Sequence, residues 1–455
     1  VAAAAAGAAG GRRSALVVGG GASGLSCALE LAGRGWSVSV LSRDTSEGAT
    51  RAAGGMLAPQ AERLEEGPLL DLCVRARSHF PPWLQRVERL SGVDANLCSR
   101  GGFLAPAFEG DAVQRWRPPA AGGPATWLGP EALRALEPAV SEAAVGGWLF
   151  EREASVDPRA LHDALLTSCG ALGVRVLEGV SACSRNLDVE AAAGGAAGGS
   201  GGAAAAVITS DGAELRADAV VLACGAWARE LLPLASFPIK GQMLRLRPPP
   251  GHAQREAGGL QRTLFGDGVY LIPRRDGAVV VGATEEPGAG YDRRATAGGV
   301  AQLLDKAGAA APVLADYTLD EVWAGLRPTT PDRMPLLGRA SSALNLHVAA
   351  GYHRTGLLPP PPCAPSAADG TAGARTAPAA APPAHFEVER FSRVQPSPAA
   401  PPAPATSSAS APAGRHPNLL QRVAAVPRRL FGRAPPPPAA GAAAPDPTAP
   451  VGSPG

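Results

Sequence analysis

The chain is poor in aromatic residues, at 4% of 455 residues, and carries almost no net charge, at +2. That balance excludes a nucleic-acid groove or an anionic membrane surface as the main partner, since both need a basic excess. No uninterrupted apolar run is long enough for a transmembrane helix. CxxC pairs are absent, and the cysteines (Cys27, Cys73, Cys98, Cys169, Cys183, Cys224 and Cys363) are odd in number. Neither a disulfide framework nor a thiolate zinc site is expected, and a reducing compartment fits best. The histidines are scattered, with no HExxH and no ligand spacing, so no metal is expected.

Gly (57) and Pro (46) are what the chain has in plenty. About half of the prolines follow residue 358, among Ala, Ser and Gly. Such a composition cannot bury enough apolar surface to offset chain entropy, so 359–455 is expected to be a disordered, locally extended tail. HPNLLQRVAAVPRRLFGR (416–433) has helical spacing that Pro427 interrupts. AAAGGAAGGSGGAAAA (191–206) reads as an expanded surface loop. The start, VAAAAAGAAGGRRS, is small, basic and free of acids. Residues 1–13 fit either an organelle transit-peptide remnant or a plain disordered leader.

The segment 14–358 carries regular periodicity. ALVV (15–18) predicts a strand, and SCALELAGRG a helix with Leu25, Ala28, Leu29 and Ala32 on one stripe, closed by Gly33 and Gly35. SVSVL (37–41) predicts a second strand. Between the first strand and the helix stands Gly19-Gly20-Gly21-Ala22-Ser23-Gly24, a GxGxxG turn. Gly19 permits a tight turn, Gly21 lets a pyrophosphate reach the backbone, and Gly24 lets helix and strand close up. The helix N-terminus then offers N–H groups to the phosphates. The position after the second strand, where an acidic residue usually binds the ribose, holds Ser42, followed by Arg43 and Asp44.

Further along, 68–92 predicts a helix broken at Pro81-Pro82, and 157–173 a helix capped by Asp157 and closed by Gly173. GVYLIPRRDGAVVVGAT (268–284) predicts a hairpin with Asp276-Gly277 as a two-residue turn, which sets Tyr270 opposite Ala283. In EVWAGLRP, Trp323, Gly325 and Arg327 share one face of a strand. An arginine ending a mostly apolar strand is either a carboxylate fork or half of an internal ion pair. Tyr270 alone reads as a core tyrosine, and Trp227 and Trp323 read as core.

Several separated blocks resemble the FAD-dependent D-amino-acid oxidase-like oxidoreductases, and among them the glycine oxidases of thiamine biosynthesis. The blocks are ATRAAGGMLAPQAE (49–62), GAWARELL (225–232), IKGQMLRL (239–246), VYLIPRRDGAVVVGATEE (269–286), EVWAGLRPTTPDRMPLLG (321–338) and GYHRTGL (351–357). The resemblance implies an α/β (α+β) fold. A Rossmann-type FAD-binding domain (about 14–100, 151–235 and 327–358) would interleave with an antiparallel β-rich substrate domain (about 101–150 and 236–326). It implies FAD as cofactor and assigns Thr50, Gly54, Gly55 and Met56 to the flavin side. Ala182 would lie near the adenine, and Tyr352, His353, Thr355, Gly356 and Leu357 at the isoalloxazine edge. Arg327, Arg354 and Tyr270 would meet the substrate.

The implied reaction is oxidation of glycine or a similar small amino acid by dioxygen, giving imine or glyoxylate, ammonia and hydrogen peroxide. A hand-off to thiazole synthase and a plastid stroma are implied with it, with the cytoplasm as the other compartment. Within enzymes, sarcosine oxidases, D-amino-acid oxidases and quinone-linked dehydrogenases stay open as alternatives, and pocket size decides among them. A different class is a non-catalytic flavoprotein-like scaffold whose Pro-rich tail binds SH3- or WW-like partners. The resemblance also calls for a long helix after Leu358, where the chain gives Pro359 to Pro362. Four prolines cannot open one helix. Either the reading frame departs there, or the product is a truncated relative.

Overall fold

Ser14–Val18, the helix Ala22–Gly33 and Ser37–Ser42 fold as the front pattern predicts. The computed structural model describes residues 11–358, apart from 100, 183–188, 191–203, 251–258, 267 and 341. The expected tail, the 416–433 patch, most of the glycine-rich insert and most of the leader lie outside the described residues.

Six strands form the first sheet, in the order Leu336–Arg339, Leu346–Ala350, Ala219–Leu222, Ser14–Val18, Ser37–Ser42 and Arg175–Glu178. All neighbours run parallel except the antiparallel edge strand Leu336–Arg339. Its central strands are buried along almost their whole length, as a sheet covered on both faces requires. One face packs Leu25 and Leu29, Phe80 and Leu84, and Leu161 and Leu165 from three helices. On the other face Ala205, Val207 and Leu215 of a small three-stranded sheet meet Leu16, Val18 and Leu222.

The helix Pro68–Ser91 runs unbroken through Pro81 and Pro82, contrary to the expected break. Both prolines are exposed, and the buried stripe Cys73, Ala76, Phe80, Leu84 and Val87 continues in phase past them. Burial of that stripe outweighs the backbone bonds the prolines remove, which lie on the solvent side. Asp157 caps Pro158–Ala171 by accepting from the N–H of Arg159 (2.9 Å) and Ala160 (3.2 Å).

The second sheet has eight strands, in the order Thr318–Thr329, Phe237–Arg247, Val279–Gly282, Val269–Pro273, Thr263–Gly266, Phe103–Ala107, Gly146–Phe150 and Thr126–Leu128. Every pair is antiparallel except Thr263–Gly266 with Phe103–Ala107. The predicted hairpin is present, one residue out of register. Tyr270 stands opposite Gly282, not Ala283. The loop has three residues, because Arg274 N–H bonds Ala278 O at 2.7 Å and Gly277 takes φ +80°. A turn closed by a left-handed glycine uses Asp-Gly differently from the two-residue turn. No helix among the described residues is long and apolar enough to cross a membrane.

Candidate active site

A cleft runs from the Gly19–Gly24 turn, between the two sheets, to the turn at Tyr352–Leu357. Of the residues singled out from sequence, Gly19, Gly21, Ser42, Arg43, Thr50, Gly54, Gly55, Met56, Ala182, Tyr270, Arg327, Tyr352, His353, Arg354, Gly356 and Leu357 line it. Gly24 and Thr355 do not line it. Gly24 lies behind the turn, where a Cβ would fall 1.9 Å from Gly19 O. The Thr355 hydroxyl is spent within its own turn, donating to Tyr352 O at 2.9 Å.

The glycine turn is fixed from three sides. Gly19 N–H donates to Leu41 O (2.8 Å), and Ala22 N–H to the Thr50 hydroxyl (2.9 Å). The third tie is His162, whose Nε2 lies 2.8 Å from Gly20 O. A carbonyl only accepts, so Nε2 carries the proton. Burial draws the His162 pKa below its ordinary value, with the Gly20 bond opposing, so the ring holds the turn as a neutral donor.

At the far end of the second strand Ser42 is buried, and a Cβ on Gly20 would fall 2.7 Å from its hydroxyl. The Arg43 guanidinium lies over the Trp227 ring at 4.8 Å, and Trp227 stacks on Tyr291 at 5.9 Å. Trp227 therefore stands half-buried at the cleft rim rather than in the core. Ala182 faces this end from a bridge to Thr209.

The loop 52–61 is held by its carbonyls and amides. Trp323 Nε1 donates to Ala52 O (3.0 Å), and Val156 N–H to Gly55 O (2.9 Å). Arg274 donates to Gly54 O (2.8 Å) and to Val156 O (3.2 Å). The N–H groups of Gln60 and Ala61 are caught by the buried carboxylate of Glu153, with Arg77 3.5 Å away. Burial pushes the Glu153 carboxyl up to about 8, against those amides and Arg77. Replacing Arg274 by leucine strands two carbonyls. The expected result is a loss of about 2–4 kcal/mol in denaturant unfolding and weaker flavin retention. An unchanged unfolding midpoint would refute this role.

The substrate-side groups meet over the second sheet. Arg327 is half-buried on the strand Thr318–Thr329, and its guanidinium lies where a Cβ on Gly241 would be, 2.5 Å away. It donates to Thr284 O (3.1 Å) and makes no ion pair among the described residues. Tyr270 is buried beside it. Burial raises the phenol pKa, and Arg327 is the strongest opposing charge. Arg354 differs from Arg327. Its guanidinium already carries two carboxylates, Glu62 at 3.1 Å and Glu285 at 2.7 Å.

His353 sits at φ +50°, a left-handed value uncommon outside glycine, held by its N–H to Pro328 O at 2.7 Å. Its Nδ1 lies 2.8 Å from the Thr329 hydroxyl. Its Nε2 is buried without a partner among the described residues. Burial first, then Arg354 and Arg327, pull its pKa to about 4. His347, in the parallel sheet, is likewise drawn to about 4 by burial and Arg339. The unfolded chain protonates such a histidine near 6.5 and the folded chain only near 4, so the unfolded state binds more protons between those values. Stability is full above pH 6.5 and falls as pH drops toward 4, by roughly 3 kcal/mol per histidine. His347→Leu is expected to flatten that fall in melts compared at pH 7.5 and 5. An identical pH dependence would contradict it.

Glu62, His162, Glu153 and Arg274 carry the site's support and were not singled out from sequence. Glu62 closes the 49–62 block, so the block located it without showing its partner. The site fits a dinucleotide cofactor. A glycine turn opens a helix at one end, a flat Arg43–Trp227 rim follows, and an unpartnered buried nitrogen waits at the other end.

The sequence matches the FAD dependent oxidoreductase family, DAO, over residues 14–369, and the chain belongs to that family of FAD-dependent enzymes. Within it the chain is of the glycine oxidase type. It is 39% identical over 345 residues to the bifunctional protein ThiO/ThiG of Synechocystis sp., covering 74% of this chain and 48% of that protein. It is 30% identical over 349 residues to glycine oxidase of Geobacillus kaustophilus, covering 74% of this chain and 86% of that one. The crystal structure of the Geobacillus glycine oxidase superposes with a TM-score of 0.72, covering 83% of this chain and 99% of that one. The chain spans about half the length of the bifunctional relatives.

Proposed function

We propose that this chain oxidises glycine or a similarly small amino acid in the cleft between the two sheets. The observation that carries the reading is Arg327, a guanidinium over Gly241 and beside Tyr270 with no carboxylate of its own among the described residues. Its planar fork suits a substrate carboxylate, and Tyr270 borders the same space. The reading assigns Gly19 and Gly21 to the pyrophosphate, Thr50 to the flavin side, and Ser42, Arg43 and Ala182 to the adenosine end. Gly54, Gly55, Met56, Tyr352, His353, Gly356 and Leu357 border the ring. FAD held by these residues would supply the two-electron acceptor chemistry, with dioxygen as the final oxidant. Glycine, dioxygen and water then give glyoxylate, ammonia and hydrogen peroxide. The chain's own contribution is orientation, since a clamped carboxylate fixes where Cα lies.

The identity to the Geobacillus glycine oxidase supports this substrate class. The bifunctional relatives named ThiO/ThiG support a hand-off of the product to thiazole assembly. We read Pro359 to Pro362 as a departure of the reading frame rather than an eroded site, because the blocks up to Leu358 are intact. A transcript sequenced across codons 355–370 checks that. The central experiment is an absorbance scan of purified protein. A flavin spectrum that bleaches anaerobically with glycine is expected. A colourless protein that takes up no added FAD would overturn the proposal.

A further inference from the structure

The charges around the cleft are unevenly paired. Arg327 has a positive charge with no carboxylate among the described residues. Arg354 faces two carboxylates, Glu62 and Glu285, and Glu285 shares a second arginine, the exposed Arg333, at 3.3 Å. Glu62 therefore has only a share of one guanidinium. Its side chain is 7% exposed, yet Glu62 lines the cleft. Arg354 takes its Oε2, and no hydrogen bond to Oε1 is present among the described residues. Oε1 is not among the sealed, unsatisfied atoms either, so it keeps an open side. The carboxylate is also braced from behind, because Glu153 fixes the N–H of Ala61 one residue earlier (3.0 Å).

Arg327 and Glu62 share the cleft with one further side chain, Tyr270. Tyr270, Arg327, Glu62 and Arg354 all line the cleft, and besides burial these three charges act on the Tyr270 hydroxyl. Arg327, with no carboxylate among the described residues, and Glu62, with one oxygen left open, thus line the same cleft as Tyr270. The unpaired Arg327 charge is costly in a half-dry cleft, and a molecule that brings a carboxylate to Arg327 and an ammonium to the open Glu62 oxygen is bound at both ends.

We propose that Glu62 receives the ammonium end of the substrate while Arg327 holds its carboxylate, so that the site selects zwitterionic α-amino acids over plain carboxylic acids and plain amines. Arg354 is then a positioning residue, which holds Glu62 toward the cleft. The inference rests on the Arg327 clamp and adds the second anchor.

Glu62→Gln tests it, on flavin-loaded protein, with glycine as substrate and acetate (glycine without its amine) as competitive inhibitor. The KM for glycine is expected to rise on the order of 10- to 100-fold, with the inhibition constant of acetate changing less than about twofold. Glu62→Asp, which keeps the charge at a shorter reach, is expected to retain part of the preference for glycine over acetate. If glycine and acetate weaken together, Glu62 only props the pocket and the inference falls. It also falls if neither changes. If Glu62→Gln does not load flavin, Glu62→Asp and the wild type decide. A wild type whose KM for glycine is no lower than its inhibition constant for acetate overturns the inference. Failure of the wider reading looks different: Arg327→Ala would then leave acetate inhibition unchanged.

Discussion

Arg327→Ala is expected to raise the KM for glycine roughly 100- to 1,000-fold, while the purified protein keeps its flavin spectrum and melts within a few degrees of wild type. The size follows from the bonds at stake. A bidentate guanidinium–carboxylate pair makes two charge-assisted hydrogen bonds, each contributing about 1.5–3 kcal/mol. The small stability effect follows from what Arg327 does without substrate: it bonds Thr284 O and borders the Tyr270 hydroxyl, makes no ion pair among the described residues, and is only half-buried. Arg327→Lys is expected to fall between, because it keeps the charge and loses the fork. Gly241→Ala offers an independent route to the same loss. A Cβ there would meet the guanidinium at 2.5 Å and displace it without removing its charge. An Arg327→Ala enzyme with wild-type KM would remove the carboxylate clamp altogether. A variant that lost its flavin as well would place Arg327 in cofactor binding instead.

The fold was legible wherever local pattern and tertiary burial agree. The first strand, the glycine turn and the helix Ala22–Gly33 are one such region, because each residue's pattern serves the element it sits in. The helix capped by Asp157 is another. The reading failed where a local preference is overruled by packing elsewhere. Pro81 and Pro82 disfavour helix, yet Phe80 and Leu84 on either side are buried in the same core and carry the helix through. The hairpin was placed one residue out because Asp-Gly serves both two- and three-residue loops, and only the Arg274–Ala278 bond decides between them.

The site was legible by residue type and illegible by partner. Both arginines were found from sequence, but nothing local distinguishes the one with no carboxylate partner from the one with two. Glu62 lies 292 positions before Arg354, and Glu285 lies 69 before it. His162 reaches Gly20 across 142 positions, and Arg274 reaches Gly54 across 220. Such donors look like ordinary helix and turn residues until the fold closes. They are nonetheless what keeps the glycine turn and the loop after it in place.

Alanine at Gly21 and alanine at Gly24 are expected to fail in opposite ways, although both change one glycine of the same turn. Gly24→Ala puts a methyl group 1.9 Å from the backbone oxygen of Gly19, which cannot give way without separating helix from strand. A loss of about 3 kcal/mol or more is expected, with poor soluble yield. Gly21 has φ −82° and ψ 178°, an extended conformation open to any residue. An added Cβ there meets only the Thr50 hydroxyl, at 3.3 Å, a contact that a small shift relieves. Nothing in the protein itself therefore demands glycine at 21; the demand comes from what approaches the helix N-terminus. Gly21→Ala is expected to fold, to melt close to wild-type apoprotein, and to bind FAD on the order of 100-fold more weakly. Measuring apoprotein melting and FAD affinity on both variants separates packing from ligand approach. If Gly21→Ala bound FAD as the wild type does, the pyrophosphate would not lie against this turn. If Gly24→Ala folded normally, the close contact with Gly19 would not be what holds helix to strand.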